Sequence, residues 1–293
     1  MFPHFICIGA QKAGTTWLHS NLRKHQELWL PPIKEIHYFD YKENNFSPAL
    51  KQQLFDNSRQ NRRWRRIAIN RLKVNCKSPN IQRLLWDRNY LFNRQNNDDW
   101  YSSLFELGRG KIIGEITPAY STLNSSSVAH IHKLMPKLKI IFLMRNPIER
   151  AWSYFFSYMY QQGRTIDSFS KTELVNQLNS NYSISRGNYL QTLQVYQNYF
   201  TPEQLFIGFF EEIIDCPENL LARICNFVGA KSSQNYLNKI NKNKVNNYGN
   251  KGVIPKHIAE YLSQIYYDEI YHLNQLYGGY TNRWLEYIEK SLI

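Results

Sequence analysis

The sequence predicts an α/β fold: a P-loop-like central parallel sheet flanked by helices on both faces, with a basic helical insertion. Three observations predict it. Short apolar runs alternate with helix-like stretches along the 293 residues, which is typical of parallel sheets covered on both faces. A glycine-containing turn of the phosphate-binding type follows the first run, and one internal segment carries most of the excess charge. We therefore expect a single domain over residues 1–293, with the insertion at about 42–100.

Four short apolar runs are predicted strands because buried parallel strands read as near-continuous hydrophobic stretches. They span residues 4–10, 110–116, 137–145 and 204–210. One predicted helix begins at Gly14. Five further helical patterns cover residues 125–135, 147–161, 187–200, 217–229 and 257–278. In the helix over 147–161, Asn146 is suited to the cap and Pro147 to the first turn, where its missing N–H costs nothing.

The net charge of +13 is unevenly distributed. Residues 51–97 contain twelve Lys and Arg against two Asp, a net charge of +10, so the rest of the chain carries only +3. Trp64, Ile67 and Leu84 alternate with the arginines, which predicts amphipathic helices. Two interpretations stay open. The segment is a solvated face on which arginine stems cover apolar surface, or it meets an anionic acceptor, a membrane surface or nucleic acid.

Composition excludes a disordered chain, because 43% of the residues are hydrophobic and 15% are aromatic. There is no apolar run of about 18 residues that would indicate a membrane span, and residues 1–16 do not resemble a signal peptide. Four cysteines without metal-binding spacing predict a reduced, cytoplasmic protein with no bound metal. They are Cys7, Cys76, Cys216 and Cys225.

The most informative motif is GAQKAGTTW over residues 9–17, between a predicted strand and a predicted helix. Backbone N–H groups of such a turn, with the helix N-terminus, bind anions. A nucleoside-triphosphate loop places lysine directly after its second glycine, whereas here Lys12 precedes Gly14. The strand over 137–145 also ends in Arg145, where many NTPases carry a Mg²⁺-binding aspartate. The motif predicts a metal-free anion site, with a plain connecting turn as the alternative.

These residues resemble the signatures of the PAPS-dependent sulfotransferases. GAQKAGTTWL (9–18) is similar to their 5′-phosphosulfate loop, and IIFLMRNPIERAWSYFF (140–156) to the signature that binds the 3′-phosphate. KEIHYFD (34–40) resembles the KExHFFD stretch of the heparan-sulfate enzymes and their bacterial relatives. The resemblance implies in-line transfer of a sulfuryl group from 3′-phosphoadenosine 5′-phosphosulfate (PAPS), which releases adenosine 3′,5′-bisphosphate.

The resemblance also implies which residues bind the donor. Arg145 and Ser153 would bind the 3′-phosphate, and their spacing is physically sensible because Ser153 lies about two helical turns further on. Tyr189, in RGNYLQTLQVYQNYF (186–200), would lie near the adenine. The remaining donor-binding residues are Lys12, Ala13, Gly14, Thr15, Thr16 and Trp17 in the first loop and Lys251 and Gly252 in NKGVIP (250–255).

Sulfuryl transfer needs a base for the acceptor's proton and a cation at the leaving phosphate oxygen. Lys12 is the predicted cation. Glu35 is the predicted base because it matches the family's catalytic glutamate. His37 is the alternative, since a histidine serves in the cytosolic branch of the family and an imidazole titrates in the useful range. Lys34, His37 and Asp40 are predicted to orient the acceptor or the base.

One position departs from the family pattern. GEITPAY (114–120) resembles the family's third strand, but Ile116 stands where the heparan-sulfate enzymes carry lysine. This difference argues against a heparan-like acceptor and leaves the donor chemistry unchanged. Glu115 is expected to be structural or to pair with a loop cation. The expected acceptor is a hydroxyl or an amine of a small molecule or glycan, with no nucleic-acid partner.

Two other functions remain in view. A P-loop kinase or nucleotidase would turn over ATP with Mg²⁺, but the missing GK[ST] argues against it. An RNA- or membrane-binding module would use the segment of +10 charge, with binding that weakens steeply as salt increases.

Overall fold

The computed structural model describes residues 1–43, 54–55, 59–241 and 253–292. These residues form a parallel five-stranded sheet in the order β2-β3-β1-β4-β5. The four predicted strands are confirmed. The short strand β2 was not predicted, because two residues carry no periodic pattern. The strands are β1 (Phe5–Gly9), β2 (Leu28–Trp29), β3 (Ile112–Ile116), β4 (Lys139–Met144) and β5 (Leu205–Phe209).

Helices cover both faces of this sheet, and for that reason all five residues of β1 are buried. The predicted helices are confirmed, although the one predicted over 187–200 is shorter than expected. Asn146 caps the helix that Pro147 opens, and its side chain accepts a hydrogen bond from the Ile148 N–H at 2.9 Å. No helix in the described part of the chain has the length and apolar content to cross a membrane.

The helices of the described residues are numbered in chain order. They are α1 (Thr15–Leu22), α2 (Phe39–Glu43), α3 (Arg59–Lys77), α4 (Ile81–Phe92), α5 (Asp98–Ser103), α6 (Ser125–Leu134), α7 (Pro147–Gln161), α8 (Lys171–Leu178), α9 (Asn181–Ile184), α10 (Tyr189–Gln197), α11 (Glu212–Asp215), α12 (Pro217–Val228), α13 (Gln234–Leu237), α14 (Lys256–Tyr277) and α15 (Tyr280–Leu292).

The predicted basic insertion contains two consecutive helices, α3 and α4, which we call the hairpin. The hairpin packs on the core through buried Ala68, Trp86, Tyr90 and Leu91. The Trp86 indole N–H also donates to the Leu104 carbonyl at 2.7 Å, which fixes α4 to the body of the protein. The arrangement of residues 1–293 as one domain with an insertion stays a prediction.

Candidate active site

The loop between β1 and α1 is shaped to expose backbone N–H groups. Gly14 precedes α1 with φ 86°, and no side chain caps the helix. A Cβ atom at Gly14 would lie 2.2 Å from the Ile213 Cδ1, so glycine is required there by packing as well as by its positive φ. The first-turn N–H groups of a helix have no intrahelical acceptor. This loop therefore offers the uncapped N-terminus that the sequence predicted for an anion.

Lys34 lies across the first turn of α1. Its Nζ is 3.3 Å from the Thr15 Oγ1 and 3.4 Å from the Thr16 Oγ1. The same ammonium donates to the Glu35 carboxylate at 2.8 Å. Lys34 thus connects the predicted phosphate loop to the predicted base, one of the two groups that the sequence predicted it to orient.

Backbone N–H groups of the segment 34–40 donate to the end of β3 and to side chains of the turn that follows it. The Glu35 N–H donates to the Ile116 carbonyl at 3.1 Å. The Ile36 N–H donates to the Thr117 Oγ1 at 3.1 Å, and the Tyr38 N–H donates to the Tyr120 hydroxyl at 2.9 Å. Sequence reasoning missed Thr117 and Tyr120 as site residues, although both belong to the GEITPAY motif that it had singled out.

Glu115 has a structural role, because it positions the Thr117 hydroxyl that accepts from the Ile36 N–H. It is buried and accepts hydrogen bonds from the Tyr101 hydroxyl and, at 2.7 Å, from the Thr117 hydroxyl. Burial raises the pKa of Glu115, while its hydroxyl donors act in the opposite direction. The expectation that Glu115 is structural is therefore confirmed. The partners that the structure gives its carboxyl group are hydroxyls and not a loop cation.

Glu35, His37 and Asp40 form a linear cluster. The His37 Nδ1 is 2.7 Å from the Asp40 carboxylate, and its Nε2 is 3.4 Å from the Glu35 carboxylate. Glu35 and His37 have positive φ angles of 65° and 56°. Such angles are strained for residues other than glycine, so the surrounding hydrogen bonds fix this conformation. The structure thus brings three of the predicted site residues into contact.

The charges around this cluster shift the pKa values of the two candidate bases, Glu35 and His37, in opposite directions. Burial acts to raise the pKa of Glu35, but Lys34, His37 and Arg63 outweigh it and hold that pKa well below its ordinary value. Burial acts to lower the pKa of His37, but the Asp40 and Glu35 carboxylates outweigh it and raise that pKa. Glu35 is consequently ionised at neutral pH, and the charged form of His37 is stabilised.

Two arginines of the insertion reach this cluster, which sequence reasoning did not foresee. The Arg63 guanidinium donates to the Glu35 carbonyl at 3.1 Å and lies 3.6 Å from the Glu35 carboxylate. The Arg94 guanidinium donates to the His37 carbonyl at 2.8 Å and lies over the Tyr41 ring. The basic composition of the segment was a signal, but nothing in it distinguished these two arginines from the others.

Arg145 lies at the end of β4, next to the anion loop. Its guanidinium donates to the Lys12 carbonyl at 3.4 Å, pairs with Glu149 and lies over the Phe210 ring. The Tyr189 hydroxyl donates to the Arg145 carbonyl at 2.8 Å, so Tyr189 fixes the backbone of this strand end. The structure thus places the two predicted phosphate signatures side by side.

Other residues that were predicted to bind PAPS are either buried or lie outside the described residues. Ser153 is buried in α7, and Ala13 is buried within the loop. The Trp17 ring lies in the core, and its indole N–H donates to the Asn241 carbonyl at 2.7 Å, so its side chain anchors the chain there. Lys251 and Gly252 lie outside the described residues.

One end of the sheet therefore combines an uncapped anion loop, a lysine that contacts it, and an ionised carboxylate. Such a set suits transfer of an anionic group to an acceptor that must lose a proton. Across residues 1–43, 54–55, 59–241 and 253–292, no group of three or more His, Cys, Asp or Glu side chains is placed to hold a metal ion.

Comparison with known proteins gives a consistent result. A profile described as the sulfotransferase family matches residues 3–234. The fold is similar to that of a sulfotransferase from Alicyclobacillus acidocaldarius, with a TM-score of 0.62 and 20% identity, covering 94% of this chain and 96% of that one. It is also similar to the sulfotransferase domain of the Synechococcus PCC 7002 olefin synthase, with a TM-score of 0.55 and 16% identity, covering 85% and 80%. At these identities the likeness establishes the fold alone.

Two sequence relatives are much longer than this chain. The membrane-associated sulfotransferase kil1 of Dictyostelium discoideum is 28% identical over 160 residues, which are 53% of this chain and 23% of that protein. Carbohydrate sulfotransferase 15 of Rattus norvegicus is 24% identical over 238 residues, covering 71% of this chain and 36% of that protein. This chain therefore spans well under half of either relative.

Proposed function

Because this chain belongs to the sulfotransferase family, we propose that it transfers a sulfuryl group from PAPS to a hydroxyl or an amine of a small-molecule or glycan acceptor. One observation carries the proposal. The Lys34 ammonium contacts the hydroxyls at the N-terminus of α1 and the Glu35 carboxylate together. A donor phosphosulfate at that helix end would therefore lie beside the proposed base.

The donor fits the groups that surround the loop. Uncapped N–H groups at Gly14, Thr15 and Thr16 suit the 5′-phosphosulfate. Arg145 supplies a bidentate fork for the 3′-phosphate. Because the Arg145 guanidinium also pairs with Glu149, binding of the 3′-phosphate would compete with that ion pair. Roles for Ser153, Tyr189, Lys251 and Gly252 in donor binding are part of the proposal and rest on the resemblance of their motifs.

The proposed transfer has one bond forming and one breaking. The acceptor oxygen or nitrogen attacks sulfur, and the bond from sulfur to the bridging oxygen breaks, leaving its electron pair on the 5′-phosphate of adenosine 3′,5′-bisphosphate. The acceptor's proton passes to the Glu35 carboxylate. Lys12 and Lys34 stabilise the negative charge that develops on the leaving oxygen. Lys34 would then be shared between donor and base, which weakens its hold on Glu35 and raises the basicity of that carboxylate.

The surroundings of His37 favour Glu35 as the base. An imidazole held between two carboxylates is stabilised in its protonated form, and a protonated imidazole cannot accept a proton. In this proposal His37 orients Glu35, and Asp40 orients His37. The acceptor would approach from the side of Lys34 and the insertion.

The class of acceptor is proposed from two observations. One relative is a carbohydrate sulfotransferase, which favours a glycan. Ile116 is apolar and buried, so this position supplies no cation for an acidic acceptor, which favours an acceptor unlike heparan. We include a cytoplasmic location and the absence of a nucleic-acid partner in the proposal.

Calorimetry with adenosine 3′,5′-bisphosphate and turnover of labelled PAPS on a panel of acceptors test the function. We expect the bisphosphate to bind, and Lys12→Ala to lower turnover by about 100-fold or more, as loss of one transition-state donor does. Lys111→Ala is the matched control because Lys111 is exposed at the opposite end of β3. Absence of bisphosphate binding at millimolar concentration, or Mg²⁺-dependent ATP turnover in its place, would overturn the proposal.

A further inference from the structure

The outer part of the hairpin, residues 69–88, is built with its polar groups inside. We call it the tip. The Arg71 Nε donates to the Asp87 carboxylate at 2.7 Å, and the Asn75 amide donates to the same carboxylate at 2.8 Å. The Arg83 Nε donates to the Asn75 side-chain oxygen at 2.9 Å. Asn75 and Asp87 are both buried. Hydrogen bonds among polar groups, two of them on buried residues, therefore join α3 to α4 at the tip.

The aliphatic side chains of the tip face solvent. Six of them are between 39% and 69% exposed, namely Ile69, Leu72, Val74, Ile81, Leu84 and Leu85. Residues three or four positions apart lie on the same side of a helix, so Ile69 and Leu72 share one side of α3, and Ile81, Leu84 and Leu85 share one side of α4. Proteins in water rarely expose so many neighbouring aliphatic side chains unless the patch meets a partner.

The charges on the exposed surface of the tip are all positive. Lys73, Lys77 and Arg88 are exposed there, and Arg66 is exposed one turn before it. Asp87 is the one acidic residue in the sequence from Arg59 to Asn97. It is buried, and its carboxylate accepts hydrogen bonds from Arg71 and Asn75. A surface that presents aliphatic and cationic side chains without acidic ones complements a negatively charged, partly apolar surface.

We propose that the tip docks on an anionic lipid surface. Exposed aliphatic side chains enter the boundary between headgroups and acyl chains, while the lysines and arginines remain among the phosphates of the headgroups. A nucleic acid or an acidic glycan would use the cations but gain nothing from exposed leucines, since single strands are held by stacking on aromatic rings. Lipid is the partner that uses both kinds of side chain.

Flotation with vesicles tests the proposal on the full chain. Phosphatidylcholine vesicles with and without phosphatidylserine are compared at low and at physiological salt. We expect binding that requires phosphatidylserine and weakens as salt increases. A polarity-sensitive dye on Cys76 reports insertion. Cys76 is exposed, whereas Cys7 and Cys225 are buried, and Cys216→Ser removes the remaining partly accessible thiol. We expect the dye emission to shift to shorter wavelength on anionic vesicles.

Two sets of variants separate the contributions of charge and of apolar contact. Replacing Arg66, Lys73 and Lys77 together by Gln should weaken vesicle binding on the order of 100-fold, since each basic residue near the surface contributes about fivefold. The control replaces Lys111, Lys133 and Lys137 by Gln, which changes the net charge equally at exposed positions of the body. Leu72→Ser with Leu85→Ser should weaken binding by at least about tenfold, by loss of apolar burial alone.

Three outcomes would overturn the proposal. They are no binding to phosphatidylserine vesicles at low salt, an equal loss of binding in the body control, and binding that is indifferent to the two leucines and is matched by heparin or RNA. The last result would assign the tip to a soluble polyanion. Far-UV circular dichroism and a melting curve on each variant show that it is folded.

Discussion

The two ends of the hairpin use the same residue types in opposite ways. At the inner end, Arg63 and Arg94 donate to carbonyl groups of the segment 34–40, among buried aromatic rings. At the tip, Lys73 and Lys77 are exposed beside Leu72 and Val74. The inner end thus contacts the candidate site, whereas the tip exposes its aliphatic and basic side chains to solvent. A net charge of +10 over one segment therefore describes two different structures.

The difference follows from where the aromatic residues fall along the segment. The large rings Trp64 and Tyr90 lie at the inner end, and Trp86 lies near the limit of the tip. All three pack against the core, and in doing so they bring neighbouring arginines close to the segment 34–40. At the tip the aliphatic residues are exposed, and Asn75 of α3 is hydrogen-bonded to Asp87 of α4. Substitutions at each end can test whether the two ends are functionally independent.

The largest effect is expected at the carboxylate that the inner end surrounds. Glu35→Gln keeps the shape of the side chain and removes its ability to take a proton, so we expect turnover to fall by a factor of about 10²–10⁴. Binding of adenosine 3′,5′-bisphosphate should remain, because Glu35 does not belong to the proposed phosphate loop. Steady-state kinetics on a soluble acceptor and calorimetry measure the two properties.

Glu289→Gln is the matched control for that experiment, because Glu289 is an exposed carboxylate on α15. The tip variant that carries Leu72→Ser and Leu85→Ser should retain full turnover on a soluble acceptor. Wild-type turnover of Glu35→Gln would exclude Glu35 as the base and return His37 to that role. Loss of turnover in the leucine variant would show that the two ends are not independent.

The next effect concerns the stability of the tip. Asp87→Ala removes the acceptor of Arg71 and Asn75 and leaves a half-buried guanidinium without its partner. Breaking one member of such a buried pair costs about 3–5 kcal/mol. We expect amide hydrogen exchange to accelerate in α3 and α4 around the tip, with little change in β1 or β4.

Asp99→Ala provides the comparison, since Asp99 is exposed at the start of α5. Unchanged exchange at the tip of Asp87→Ala would mean that the polar network does not hold α3 against α4. Uniform acceleration of exchange throughout the sheet would mean that the tip and the body unfold together, which would contradict the separation of the two ends.

The sequence predicted the sheet and the positions of its loops because these depend on local patterns. Four apolar runs, the cap at Asn146 and the glycine at position 14 each follow from a few neighbouring residues, and all have the expected structure. KEIHYFD was located through its motif. Its cluster of Glu35, His37 and Asp40 has contacts that a spacing of two and three residues permits.

What the sequence did not predict depends on contacts between distant residues. Arg63 is 28 positions from Glu35, and no periodicity distinguishes it from Arg62, which is exposed. The amphipathic pattern predicted helices in the insertion correctly, but an amphipathic pattern does not say which side faces the core. The buried side at the tip contains Asn75 and Asp87, which is the reverse of the usual rule.

The smallest effect, and the most specific one, concerns the pH dependence that Arg63 imposes on Glu35. Arg63 is one of three neighbours that lower the pKa of Glu35. Removing this cation in Arg63→Ala raises that pKa, so the carboxylate becomes protonated at a higher pH. The acid limb of kcat/KM should therefore move upward, by about 1 pH unit.

Arg63→Lys and Arg62→Ala separate charge from packing in that shift. A lysine at position 63 keeps the positive charge, but its compact ammonium does not reproduce the planar guanidinium, one terminal nitrogen of which contacts both the Glu35 carbonyl and the Glu35 carboxylate. We expect its acid limb to stay near that of the wild type while kcat falls, because the segment 34–40 is then less firmly held.

Arg62→Ala removes an equal charge one residue away at an exposed position, so it should leave the acid limb in place. Equal shifts in Arg62→Ala and Arg63→Ala would mean that Glu35 responds to the general field of the insertion. In that case the inner end and the tip would differ only in exposure, and the assignment of Arg63 as a positioning residue would be wrong.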